Sequence, residues 1–182
     1  MDGVELDGAL VGNCEVGVVL GHQLRSDYCS WLPFAKKLAD HDVRALAINF
    51  ASASPDDDMV AGARELEERG VEQIKLAGAS MGGTAALASA AEVDAAGVAS
   101  LSGPREFGGL DALPAVSRLD VPVLFLAAKQ DAGYVDDARA LYRATKSSDK
   151  ELVITNGFEH GTDLLEDPKA ESALLDFLAG DS

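Results

Sequence analysis

Apolar and polar positions along this chain switch in short blocks. Val16-Gly17-Val18-Val19-Leu20 is a brief apolar run with the length and β-branched content of a buried strand. Trp31, Phe34, Ala35 and Leu38 then recur at helical spacing, which predicts a helix over 31–39 with Ser30 as N-cap and Pro33 in its first turn. The pattern repeats, predicting strands over 43–50, 71–77, 98–102, 121–127 and 151–155. Between and after them lie helical patterns over 54–69, 81–91, 135–144 and 169–178, with a shorter one over 111–118. Asp56, Asp57 and Asp58 fall in a first helical turn, where acids complement the positive end of the helix dipole. Residues 4–11 remain for any leading strands.

Alternating strands and helices, with strands apolar throughout, imply an α/β fold: a mainly parallel central sheet with helices on both faces. No repeat, linker or low-complexity stretch divides the chain, so residues 1–182 are expected to form a single domain. In such sheets the working groups lie beyond the carboxyl ends of the strands. Three chemically able side chains fall there, in the order Ser80, Asp131, His160.

Composition narrows the partners. Thirty-one acids against fifteen Lys and Arg give a formal net charge of −16. Nucleic acid and anionic membranes would be repelled, and a salt-tolerant host fits. Cys14 and Cys29 are too few for a disulfide framework or a zinc site, and no metal is expected. The first residues carry neither a basic patch nor an apolar run, so no signal peptide is expected. The uncharged stretch 76–91 is too short and Gly-rich to span a bilayer. These points favour the cytoplasm. The glycines match neither a dinucleotide nor a P-loop fingerprint.

Gly78-Ala79-Ser80-Met81-Gly82 fits G-x-S-x-G between a strand and a helix. A serine thrust out of so tight a turn leaves no room for side chains two positions away on either side, which accounts for Gly78 and Gly82. A hydroxyl needs a base within reach, and the base needs an orienting partner. Of three histidines, His41 lies in a polar Asp-His-Asp loop and His22 follows an early strand. His160 lies in the loop after the last strand, and Asp131 follows the strand before it.

With those residues in view, the chain resembles the α/β-hydrolases from about Gly17 to Leu178. The segments VVLGHQLRSDYCSWLPFAKKLA, IKLAGASMGGTAAL, VPVLFLAAKQD and ITNGFEHGTDLL carry the likeness. The resemblance implies an α/β-hydrolase fold that is minimal and lacks a large cap domain, because 103–121 holds no long insertion. It implies Ser80 as nucleophile, His160 as general base and acid, and Asp131 as the orienting acid, with Asp136 and Asp137 as rivals for that place. It implies oxyanion donors at the amides of Met81 and Leu24, since His22-Gln23-Leu24 matches a family His-Gly-X loop. His22 is then a structural loop residue. Gln23 stands where the family carries glycine, a departure that bears on the shape of this loop. Gln23, Tyr28, Phe107, Tyr134 and Phe158 are the candidate substrate contacts.

The expected activity is a serine esterase acting on a small or medium-chain carboxylic ester, as monomer or homodimer, without cofactor or metal. Serine at position 80 disfavours the aspartate-nucleophile dehalogenases and epoxide hydrolases, and the cysteine of many dienelactone-type enzymes. Thioesterase, lactonase, amidase or perhydrolase chemistry would use the same residues. A non-catalytic binding protein on the same fold is the competing class.

Overall fold

A computed structural model describes residues 7–180. Seven strands form one sheet: β1 (Gly8–Val11), β2 (Val16–Gly21), β3 (Val43–Ile48), β4 (Gln73–Ala79), β5 (Gly97–Leu101), β8 (Val123–Ala128) and β9 (Lys150–Thr155). A two-stranded hairpin, β6 (Glu106–Phe107) with β7 (Leu110–Asp111), lies outside it. The sheet order is β1-β3-β2-β4-β5-β8-β9. Only β1 runs antiparallel, pairing Gly8 with Ile48, and every other contact is parallel.

Both faces of this sheet are buried, which is why its strands read as unbroken apolar runs. Val18 and Leu20 of β2 face one core; Val19 between them faces the other. The first core is closed by α1 (Leu32–Asp40) and α6 (Pro168–Ala179), through Phe34, Leu38, Leu174 and Leu178. The second is closed by α2 (Pro55–Glu68), α3 (Met81–Ser89), α4 (Ala112–Val116) and α5 (Tyr134–Ala144), through Met59, Leu66, Leu87, Val116 and Leu141. Truncating any fully buried leucine in either layer to Ala should cost about 2–5 kcal/mol.

The helical face foreseen at Trp31, Phe34, Ala35 and Leu38 is buried throughout. Its entry differs from the sequence expectation. Tyr28–Trp31 forms a 3-10 turn, capped by Asp27 accepting from the Cys29 amide, and Ser30 instead donates its hydroxyl to the Asp27 carbonyl. Asp27 wins because its carboxylate reaches the amide two residues on, as acceptors at turns do. The fourth strand starts later than expected, at Gln73, and runs to Ala79, directly before Ser80; Val71 packs into the core from the preceding loop. Of the segment 4–11, Gly8–Val11 forms β1, and residues 4–6 lie outside the described residues. Between β5 and β8 stand only the hairpin and α4, so among the described residues no large cap is inserted there.

Two charged side chains act inside the structure rather than on its surface. Asp58, one of the three first-turn acids of α2, is buried and accepts from the Ala51 and Ser52 amides at 2.8 and 2.9 Å. It thereby fixes the loop leaving β3. Lys75, buried in β4, donates to the Phe177 and Gly180 carbonyls, both at 2.9 Å, and closes the end of α6.

Candidate active site

Ser80 sits on the turn between β4 and α3, with φ 49° and ψ −113°. That backbone is strained for any residue with a Cβ, at a cost of order 1–3 kcal/mol, and must be held by its surroundings. Three bonds hold it. The Ser80 amide donates to the Leu101 carbonyl at 2.7 Å, and its own carbonyl accepts from the Gly83 and Thr84 amides. Sterics do the rest. A Cβ on Gly78 would overlap the Gly82 carbonyl, and one on Gly82 would overlap the carbonyl of Gly21, at the end of β2. The glycines therefore let β2, β4 and α3 meet at backbone contact distance, with Ser80 at the junction. Its residue is 6% exposed.

The Met81 amide opens α3, where helix amides lack internal acceptors and the dipole favours negative charge. The matching loop after β2 is a turn closed by Ser26 N–H to the Gln23 carbonyl at 3.1 Å, with Arg25 at φ 63° in its third position. Gln23 itself has no positive φ. The loop places its left-handed residue at Arg25, so a side chain at 23 brings no backbone strain. His22 Nε2 faces the Phe50 amide at 3.4 Å and so accepts; Nδ1–H therefore donates to the Gln23 carbonyl at 2.8 Å. A trans peptide sets its N–H opposite its C=O. Pinning the Gln23 oxygen thus fixes the direction of the Leu24 N–H. Among the described residues, neither the Leu24 nor the Met81 amide has a protein acceptor.

His160 follows β9 and is half-buried. Its Nδ1 lies 2.8 Å from Asp131 Oδ2. A carboxylate oxygen can only accept, so Nδ1 carries a proton, and it is the Nε2 of the neutral ring that holds the free lone pair. Asp131 is 8% exposed and lies beyond β8. The rival acids are engaged elsewhere: Asp136 pairs with Arg139 at 3.0 Å, and Asp137 with Arg105 at 2.5 Å. The second pair ties the base of the β6–β7 hairpin to α5.

The remaining candidates scatter. Tyr134 stacks on His160, ring centroids 4.3 Å apart at 55°. Gln23 Oε1 accepts from Thr162, two residues beyond His160. Phe158 and the side chain of Leu24 are exposed, at 74% and 57%. Phe107 is half-buried on the hairpin, which packs against α3. Tyr28 donates its backbone amide to Asn49 Oδ1, and its hydroxyl is held above the ordinary range, first by the charge of Cys29 and next by Asp7. The Cys29 thiol is itself pushed up, first by loss of solvation and then by Asp27, which lowers its nucleophilicity. Among the described residues, no group of three His, Cys, Asp or Glu side chains could hold a metal ion, and no helix is long and apolar enough to cross a membrane.

The whole architecture superposes on solved hydrolases. A monoacylglycerol lipase from Paleococcus ferrophilus matches with a TM-score of 0.82 at 19% identity, over 98% of this chain and 100% of that one. A dienelactone hydrolase from Anabaena variabilis matches with 0.77 at 21% identity, over 98% and 91%. An esterase from Pyrococcus furiosus matches with 0.77 at 17% identity, over 96% and 90%. The chain has the α/β-hydrolase fold. No family model matches it, and no curated protein matches it by sequence. Ser80, Asp131 and His160 follow three strands of this fold, β4, β8 and β9, at the carboxyl edge of the sheet, where open α/β sheets carry their chemistry.

Sequence reasoning missed the contacts of Tyr134 and Gln23 with the His160 loop. Tyr134 opens a helix three residues after Asp131, a spacing that could have flagged it. For Gln23 the signal was its departure from the family glycine.

Proposed function

We propose that the chain is a serine hydrolase that cleaves a small or medium-chain carboxylic ester through an acyl-serine intermediate. The observation that carries this reading is the Asp131–His160 hydrogen bond, which directs the Nδ1 proton of His160 to the acid and makes Nε2 the accepting nitrogen of the neutral ring, at the sheet edge that also bears the strained Ser80. Ser80 Oγ attacks the ester carbonyl as His160 Nε2 takes its proton. The carbonyl oxygen becomes an oxyanion and is held by the Met81 and Leu24 amides, each contributing roughly 3 kcal/mol to the transition state. Collapse expels the alcohol, which receives the proton from His160. Water, deprotonated by His160, then attacks the acyl-Ser80 carbonyl and releases the acid. Asp131 stabilises the imidazolium formed in both halves.

The uncapped fold and the small number of aromatic side chains favour modest acyl groups, with Tyr134 packed on the His160 ring and Phe158 two residues before His160 in the chain. The structural likeness to a dienelactone hydrolase keeps cyclic esters within the same chemistry. The reading needs no metal or organic cofactor, and we propose a small-molecule substrate met in the cytoplasm.

Nitrophenyl esters of rising acyl length test it. Turnover by wild type that peaks at short or medium chains and vanishes in Ser80→Ala is the expected result. Full activity in Ser80→Ala would overturn the mechanism, and a peak at long chains would overturn the substrate class.

A further inference from the structure

We propose that Gln23 is a positioning residue, a polar strap that locks the turn carrying the Leu24 amide to the loop carrying His160. The inference rests on the serine-hydrolase reading and adds to it a residue that works through two others.

The backbone of Gln23 is fixed from one side. Its carbonyl accepts both His22 Nδ1–H at 2.8 Å and Ser26 N–H at 3.1 Å, so both lone pairs are engaged. The side chain is fixed from the other. Its Oε1 accepts from the Thr162 amide at 3.3 Å and from the Thr162 hydroxyl at 3.1 Å. A backbone N–H can only donate, so the atom facing it must be the amide oxygen. Thr162 is 8% exposed, which leaves its two donors dependent on that oxygen. Between His160 and Thr162 stands Gly161, at φ 62°; a Cβ there would come within 2.9 Å of Gln23 Oε1 and 3.0 Å of its Cδ. The glutamine side chain therefore lies against the backbone of the residue that follows His160.

This contact joins two loops of the site that are far apart in sequence. Leu24 and Phe158, one on each loop, are exposed, so neither loop is anchored by its own apolar side chain. A capped relative could brace such loops from above. Here a single side chain does so from beside them, and glycine at position 23 could not. The expected effect is on the alignment of base and oxyanion donor, hence on turnover more than on substrate affinity.

A double-mutant cycle on Gln23→Ala and Thr162→Val tests this, read by thermal unfolding and by kcat and KM for p-nitrophenyl butyrate. Each single variant should melt about 3–6 °C lower, and the double variant should melt no lower than the worse single one. The kcat of Gln23→Ala should fall roughly tenfold to a hundredfold with KM within about twofold. Gln23→Glu keeps an acceptor oxygen at the same reach and should recover kcat to within about threefold; Gln23→Asn, a methylene short, should not. Additive melting losses overturn the strap. Coupled melting with unchanged kcat overturns the positioning role and leaves a structural tie. Folded wild type that neither turns over the ester nor reacts with a fluorophosphonate removes the hydrolase reading itself and the positioning role with it, an outcome distinct from an active wild type with uncoupled variants.

Discussion

The Ser80 turn and the loop pair opposite it, residues 22–26 and 157–162, solve the same problem by different physics. The turn is held by close packing: Gly78 and Gly82 let three backbone segments touch, and the strained Ser80 is pinned by short backbone hydrogen bonds. The loop pair is held by polar and aromatic ties between residues far apart in sequence: Asp131 to His160, Tyr134 to His160, Gln23 to Thr162. Packing tolerates no added atom, whereas polar ties tolerate a change that keeps the donor or acceptor at the same reach and with the charge the tie needs. The Ser80 side is thus rigid by exclusion, and the His160 side is adjustable by substitution.

The largest effect should come from the strongest polar tie. Asp131→Asn can no longer hold the Nδ1–H tautomer of His160, and kcat should fall about 10³–10⁴-fold. Asp136→Asn and Asp137→Asn should stay within about twofold of wild type in ester turnover, since their carboxylates pair with Arg139 and Arg105. A large loss in either, with Asp131→Asn active, would reassign the acid.

Next comes the packed side. Gly82→Val drives a side chain into backbone that cannot yield, and should lose about 3–5 kcal/mol in urea unfolding. A near-neutral result would mean the turn is softer than its contacts imply, and the contrast between the two sides would dissolve.

Smaller still is the aromatic tie. Tyr134→Ala should lower kcat about fivefold to tenfold, as expected for an aromatic contact of about 1 kcal/mol, while Tyr134→Phe keeps the ring and should stay within about twofold. Equal losses in both would point to the hydroxyl instead. The smallest effect is expected away from both regions. The exposed Glu65–Arg69 pair, 2.5 Å apart along α2, should contribute less than about 0.5 kcal/mol, so Glu65→Gln should barely move the unfolding midpoint.

The same contrast explains what the sequence made legible. Packing leaves a local signature: small residues at fixed offsets around Ser80, and apolar runs for strands buried on both faces. The order of strands and helices, and the positions of Ser80, Asp131 and His160 beyond strand ends, could therefore be read from the chain. Polar ties have no such signature. The Gln23 amide and Thr162 are 139 positions apart, and neither residue type is unusual in a loop. Lys75 is a charged residue inside an apolar run, and nothing local announces that it closes the end of α6. Asp58 looked like one of three equivalent acids in a helical first turn, yet it alone is wholly buried and holds the loop after β3. The β6–β7 hairpin was also illegible, because segments of two residues carry too little pattern to register as elements.

The central claim is that Ser80 is an activated nucleophile, and fluorophosphonate labelling followed by mass-spectrometric location of the adduct tests it most directly. The account requires one adduct, on Ser80, in wild type, and none in folded Ser80→Ala or His160→Ala. Folded wild type that takes no label, or that is labelled on another residue, would contradict it.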